Sequence, residues 1–194
     1  MVAALTPFYA PAPPLPYWLD ALQLVVFSGC TIFVTLYLIH RSGDRWDQFG
    51  VTRPRPFDAL VGFLLMLVGA VLWRAAQDVP DVWRPTANLF PRPEGANDRG
   101  LLVVKYAVSA FAEELVCRAY LITRLTTLLR SRGKAVVLAA AAFAAYHTYQ
   151  GLQGVVFSFA LGITFGAVFL VVRRVWPLAL GHALYDIKVE IPVG

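Results

Sequence analysis

Six ionisable side chains lie within stretches of the sequence that are otherwise strongly apolar: Glu113, Glu114, Arg118, His147, His182 and Asp186. A charge near the centre of a bilayer costs at least about 2.5–3.5 kcal/mol on insertion scales, so each needs a functional or a structural reason. One carboxylate and two histidines in a partly hydrated cavity can activate water for hydrolysis. The residue types therefore predict one shared site inside the protein.

Helical spacing separates the two adjacent glutamates. Glu114 and Arg118 are four positions apart, in the order that favours an ion pair on one helix face. Glu113 is rotated by about 100° from Glu114 and cannot point the same way, which leaves it available for chemistry. His182 and Asp186 are also four positions apart, so the carboxyl group can orient the imidazole or line the same cavity.

Two hydrolytic mechanisms fit these residues. In the first, Glu113 and His147 act as general bases on a water molecule, while His182 and Asp186 stabilise the oxyanion. In the second, Glu113, His147 and His182 hold a divalent metal such as Zn²⁺, as in a metalloprotease. The sequence contains neither the HExxH zinc motif nor a GxSxG nucleophile motif, and spacing does not decide between the two mechanisms.

Each polar residue also has a purely structural interpretation. Glu114 and Arg118 can form a structural ion pair, each histidine can form a hydrogen bond between helices, and Glu113 can be a protonated acid in the core. These interpretations must be invoked separately in three helices of a small protein, which favours the shared site.

The elements that position these residues are predicted to be membrane helices. Of the 194 residues, 58% are hydrophobic and 15% charged, against roughly 45–50% and 25% in soluble domains. Six apolar blocks approach the roughly 20 residues that a spanning helix needs. They are Tyr17–Ile39, Phe57–Ala76, Leu101–Leu129, Ala135–Tyr149, Gly154–Val172 and Val175–Ile187. We expect an all-α, polytopic membrane helix bundle of about six transmembrane helices.

The distribution of basic residues predicts the orientation of these helices. His40–Pro56, Arg124–Lys134 and Arg173–Arg174 are basic, whereas the intervening connections are neutral or charge-balanced. By the positive-inside rule, both termini face away from the cytoplasm. Arginine far outnumbers lysine, a composition that favours a bacterial gene and hence the bacterial cytoplasmic membrane.

The proline-rich segment Asp78–Gly100 divides the chain into two parts of one bundle. Residues 1–100 are expected to hold two N-terminal transmembrane helices and this extracytoplasmic loop, and residues 101–194 a four-helix catalytic core. Within the core, Gly154, Ser158, Gly162 and Gly166 recur every four residues, which predicts close helix packing.

Other classes are disfavoured. The basic residues form no run interleaved with aromatics, so the net charge of +5 does not indicate nucleic-acid binding. Cys30 and Cys117 both lie in apolar blocks and lack metal or disulfide spacing. The N-terminus has no basic segment before its first apolar block, so we expect no cleaved signal peptide.

Three motifs in order resemble those of the CPBP intramembrane proteases. They are Glu113-Glu114-x-x-x-Arg118, Phe143-x-x-x-His147 and His182-x-x-x-Asp186, with a glycine-bearing helix between the second and third. The family includes the CAAX prenyl endopeptidases and bacterial relatives often called Abi or bacteriocin-processing proteins. The resemblance covers about half the chain, from Leu101 to Lys188.

The resemblance implies a role for each motif residue. Glu113 would be the catalytic acid/base, assisted by His147, while His182 and Asp186 would stabilise the tetrahedral intermediate. Glu114 and Arg118 would form the pair that shapes the site, beside Phe143. The prenyl endopeptidases carry Asn at the position of Asp186, and they have eight spans, so a CAAX substrate is less favoured than hydrolysis itself.

The resulting prediction is a glutamate-dependent intramembrane endopeptidase acting on a peptide or a membrane-protein segment. The main alternative is a non-proteolytic scaffold, serving immunity or secretion on the same core. A small proton-coupled transporter is disfavoured because the blocks show no repeat and the polar residues cluster in one place.

Overall fold

The computed structural model describes residues 15–80 and 91–191 and consists, over these ranges, of helices and the turns that join them. In chain order these are α1 (Tyr17–Arg41), α2 (Pro56–Ala76), α3 (Gly95–Glu114), a π-helical segment (Leu115–Ile122), α4 (Thr123–Leu129), α5 (Arg132–Tyr146), α6 (Gly151–Val172) and α7 (Trp176–Glu190). Short 3₁₀ turns lie at Trp46–Phe49 and Thr148–Gln150. Because α3, the π-helical segment and α4 are continuous, the described chain forms one helical column for each predicted block. The all-α bundle is confirmed.

The main difference from the predicted boundaries is the start of α3. The sequence places Asp78–Gly100 in a loop, whereas the helix begins at Gly95, six residues before the predicted Leu101. The Asp98 carboxylate accepts a hydrogen bond of 2.8 Å from the Glu94 backbone N–H and so stabilises this polar first turn. The remainder of the predicted loop at 81–90 and the proline-rich N-terminal stretch up to residue 14 lie outside the described residues.

Three of the described helices are long and apolar enough to cross a membrane: Tyr17–Arg41, Pro56–Ala76 and the helical segment Thr148–Val172. Large apolar side chains on α1 and α2 point outward, as in Phe33, which is 72% exposed. Such a continuous exposed apolar surface is typical of a lipid-facing helix. The remaining columns are short or carry the ionisable residues of the site.

Small residues allow the C-terminal helices to approach one another closely. A Cβ atom built at Gly162 would lie 2.8 Å from the Ala140 Cβ, and one at Gly166 would lie 2.8 Å from the Val136 Cγ1. Ser158, on the same face of α6, is 1% exposed. The predicted stripe is therefore the surface on which α6 packs against α5.

The N-terminal helices are tied to the core by ion pairs. The Arg174 guanidinium, in the α6–α7 turn, donates two hydrogen bonds of 2.7 Å to Asp58 in the first turn of α2. In the α1–α2 connection, Asp44 accepts a hydrogen bond from Arg124 at 2.6 Å, which lowers the pKa of Asp44 below its usual value. α1 packs against α3, and α3 packs against α7, so these three helices share a seam.

Candidate active site

The two adjacent glutamates point to different environments, as predicted. Both lie in the last turn of α3, immediately before the π-helical segment. The Glu114 side chain is fully buried, whereas the Glu113 side chain is 28% exposed. The Glu113 Oε2 atom is nevertheless buried and has no hydrogen-bond partner among the described residues. The Glu114 Oε2 atom also lacks such a partner, so it is the greater exposure that distinguishes Glu113 from Glu114.

Glu114 connects two other charged or ionisable groups. Its Oε1 lies 3.0 Å from Arg118 Nη1 and 2.8 Å from His182 Nδ1. Arg118 is 1% exposed, and its guanidinium lies 4.3 Å from the centre of the Phe143 ring and 5.6 Å from that of Phe165. The predicted ion pair is thus present, and Glu114 in addition holds the imidazole of His182.

His147 is held by a backbone contact that fixes its tautomer. It follows the last residue of α5, and its Nδ1 lies 2.8 Å from the Phe143 carbonyl oxygen. Since a carbonyl oxygen only accepts, Nδ1 carries the proton and donates. In the neutral imidazole, Nε2 is then the basic nitrogen. The ring is buried against Phe143, with centroids 4.4 Å apart.

His182 and Asp186 lie on the face of α7 that meets Glu113. His182 Nε2 is 3.8 Å from Glu113 Oε2 and 3.6 Å from Asp186 Oδ2. The centre of the Phe143 ring lies 5.9 Å from the centre of the His182 ring, and Phe143 also packs against His147. The structure therefore brings together the residues that the sequence selected, from α3, α5 and α7.

The histidine nitrogens available to a metal ion are the two Nε2 atoms. The Nδ1 atoms of His147 and His182 each contact an oxygen, from Phe143 and Glu114 respectively. Over the described ranges, no group of three or more His, Cys, Asp or Glu side chains is arranged to hold a metal. The metalloprotease interpretation thus finds no support in the arrangement of these side chains.

Two further polar contacts, an ion pair and a hydrogen bond to a carboxylate, were not predicted from the sequence. Lys105, which is 2% exposed, lies 3.0 Å from Asp20 of α1, and the Tyr106 hydroxyl donates a 2.6 Å hydrogen bond to Glu190 of α7. The sequence did contain a sign of the ion pair, because Asp20 and Lys105 are charged residues inside apolar blocks. Both lie within a few turns of a predicted helix end, where a charge is ordinarily solvated, and so they did not indicate a buried contact.

The site combines a partly exposed carboxylate, a histidine with a fixed tautomer and a second histidine between two carboxyl groups. These groups lie in a bundle of apolar helices and are of the types that hydrolysis requires. In a comparison with known families, residues 96–187 match the family model described as type II CAAX prenyl endopeptidase Rce1-like. The matched segment, somewhat less than half of the chain, is similar to the CAAX protease family, in agreement with the resemblance drawn from the three motifs.

Searches of curated proteins and of solved structures gave no significant match. The family match alone implies a CAAX-type intramembrane endopeptidase with a peptide or protein substrate. Together with the three long apolar helices, it indicates an integral membrane protein.

Proposed function

We propose that the protein is a multi-pass intramembrane endopeptidase in which Glu113 and His147 activate water and His182 and Asp186 stabilise the oxyanion. The observation that carries the proposal is the position of His182 Nε2, 3.8 Å from Glu113 and 3.6 Å from Asp186. A carbonyl oxygen bound at this nitrogen has the Glu113 carboxylate beside it. The water activated by Glu113 can then attack the carbonyl carbon while His182 Nε2 stabilises the oxyanion that forms on the neighbouring oxygen.

The reaction is a hydrolysis with balanced proton transfer. Glu113, assisted by the basic Nε2 of His147, removes a proton from water as its oxygen bonds to the peptide carbonyl carbon. The resulting oxyanion accepts a hydrogen bond from Nε2–H of a protonated His182 imidazolium, whose Nδ1–H donates to Glu114. The proton then passes to the amide nitrogen as the C–N bond breaks, releasing a carboxylic acid and an amine. No step requires a metal ion.

Glu114 and Arg118 support the mechanism by holding His182. An ionised Glu114 is favoured by Arg118 at 3.0 Å, and it accepts the Nδ1–H of His182 at 2.8 Å. This contact directs Nε2 toward Glu113 and Asp186. An ionised Asp186 cannot donate to an oxyanion, so its part in the proposal is that of a protonated acid.

The substrate class is a peptide or a membrane-protein segment, and the location is the bacterial cytoplasmic membrane with both termini outside. The basic segments His40–Pro56 and Arg124–Lys134 support this orientation. The family similarity leaves a second candidate, a scaffold for immunity or secretion. The 28% exposure of the Glu113 side chain favours the peptidase, because a general base must be reachable by water and substrate.

The test is cleavage of a diverse quenched-fluorescent peptide pool by the purified protein in lipid vesicles. We expect cleavage by the wild type and none by Glu113→Gln. The matched control is Glu94→Gln, the same substitution at an exposed position before α3, which should cleave normally. Equal activity of the Glu113→Gln and wild-type proteins would exclude Glu113 as the base. A biological effect retained by Glu113→Gln would favour the scaffold.

A further inference from the structure

A second polar cluster lies where α1 begins and α7 ends, away from the candidate active site along the shared α1–α3–α7 seam. It contains Tyr17 and Asp20 from α1, Lys105 and Tyr106 from α3, and Glu190 from α7. The ammonium group of Lys105 pairs with Asp20 and lies 5.0 Å from the centres of the Tyr17 and Tyr106 rings. Side chains from three helices thus form one largely buried polar cluster.

Two atoms of this cluster lack partners among the described residues. The Tyr17 hydroxyl has none, although the residue is only 7% exposed, and neither has the Glu190 Oε2 atom. Leaving a buried polar group unsatisfied costs about 1–3 kcal/mol. Ordered water is the usual partner of such atoms in protein interiors. The two atoms therefore indicate a hydrated interior at this end of the seam.

α7 connects this cluster to the candidate active site. His182, Asp186 and Glu190 follow one another at four-residue intervals on one face of the helix. His182 Nε2 lies 3.6 Å from Asp186, and Glu190 accepts from Tyr106 at 2.6 Å. Four residues of a helix rise about 6 Å, so these three α7 residues stand about 6 Å apart along its axis. A path of polar side chains thus follows the seam from His182 to the cluster that contains Tyr17.

We propose that this path, Asp186–Glu190–Tyr106–Tyr17, supplies water to the active site from the end of the bundle at which α1 begins. The proposal rests on the proposed hydrolysis, which consumes one water molecule for each bond cleaved. Lys105 and Asp20 hold α1 against α3 and keep the Tyr17 hydroxyl beside the path. The apolar side chains of Leu102 and Ile187 form its wall.

Thiol modification tests hydration without requiring peptidase activity. Ser109 lies on α3 between Tyr106 and Glu113 and is 4% exposed. In a background carrying Cys30→Ala and Cys117→Ala, we would introduce Ser109→Cys and measure its reaction with the water-soluble reagent methanethiosulfonate ethylammonium. The matched control is Thr35→Cys, also 4% exposed but near the far end of α1. The background protein without an added cysteine gives the baseline.

We expect the thiol introduced by Ser109→Cys to react at least about tenfold faster than that of Thr35→Cys, because apolar burial disfavours the reactive thiolate whereas hydration allows it to form and admits the reagent. Adding Glu190→Leu, or Tyr17→Phe in case the first variant does not fold, should remove most of this difference. Equal rates at the two positions would overturn the proposal. A fast reaction insensitive to both variants would also overturn it, since water would then arrive elsewhere.

Activity provides an independent readout. Modification of the Ser109→Cys protein should lower peptide cleavage, whereas modification of the Thr35→Cys protein should not. If the thiol reacts as expected but no variant cleaves peptides, the path exists and the proposed peptidase function fails. The two failures are therefore distinguishable.

Discussion

The imidazole of His182 lies 2.8 Å from the carboxylate of Glu114, a residue 68 positions earlier in the chain. Sequence spacing assigns His182 to Asp186, one turn away on the same helix, but that contact is longer, at 3.6 Å. Glu114 therefore fixes the orientation of His182, and Asp186 is left to face the site. In the proposed mechanism, Glu114 therefore positions His182, and Glu113 is the glutamate that acts on water.

This difference in contacts predicts that the same Glu→Gln substitution changes the stability of the protein by different amounts at the two neighbouring positions. Glu114→Gln removes the counter-charge of the buried Arg118 and should destabilise the protein by about 3–5 kcal/mol. Glu113→Gln should have a smaller effect on stability, because its Oε2 atom accepts no hydrogen bond from the described residues and lies 3.8 Å from His182 Nε2. Unfolding in a titration with sodium dodecyl sulfate measures both.

The double variant Glu114→Gln with Arg118→Met provides the control for this experiment. It removes both charges together, so it should be more stable than Glu114→Gln alone. If the double variant is the less stable of the two, the ion pair is not the reason for the loss.

Asp186 can be tested by exchanging its acid group for an amide. Asp186→Asn supplies an N–H donor of the same size, and we expect it to retain most of the kcat. Asp186→Ala supplies no donor and should lower kcat by about 10²–10³-fold, the usual cost of one oxyanion donor. Peptide cleavage by the two variants, with KM determined separately, distinguishes them. Equal loss in both would mean that the carboxylate itself is required.

The close approach of α5 and α6 predicts a stability defect far from any charge. A Cβ at Gly162 meets the Ala140 Cβ at 2.8 Å, so Gly162→Ala should destabilise the bundle by about 1–3 kcal/mol. Gly133→Ala is the control, because a Cβ there meets nothing within 4 Å. Adding Ala140→Gly to Gly162→Ala should restore part of the loss. Unchanged stability of Gly162→Ala would contradict the packing described.

Metal removal tests the mechanism directly. Because no group of three or more His, Cys, Asp or Glu side chains among the described residues is arranged to hold a metal, we expect 1,10-phenanthroline and EDTA to leave the cleavage rate within about twofold of the untreated protein. Inactivation reversed by added Zn²⁺ would replace the water activation proposed here with a metal-bound water. Thermolysin, a zinc peptidase, treated in parallel shows that the chelators are effective.

Local sequence features predicted most of the fold and the identity of the site residues. The apolar blocks place the helices to within a few residues, and the ends at Ala76, Leu129 and Val172 agree with the helix ends. The i,i+4 rule finds the Glu114–Arg118 pair because both residues lie on one helix. The glycine stripe of α6 is visible for the same reason.

Contacts between helices depend on their relative rotation and height, which no short sequence pattern records. Glu114 with His182, Asp58 with Arg174 and Lys105 with Asp20 are all contacts of this kind. The π-helical segment is equally hidden, since its residues, Leu115–Ile122, have an ordinary helical composition.

That segment sets the angular relation between the two ends of its column. A π-helix closes its hydrogen bonds over five residues and turns less per residue than an α-helix. On one side of it, Glu113 and Glu114 face α7; on the other, Arg124 reaches Asp44 in the α1–α2 connection at 2.6 Å. In an uninterrupted α-helix, Arg124 would lie at a different angle around the helix axis and would not face Asp44. The π-helical turns thus change the rotation of α4 relative to α3, so that the two ends of one continuous helix face different neighbouring elements.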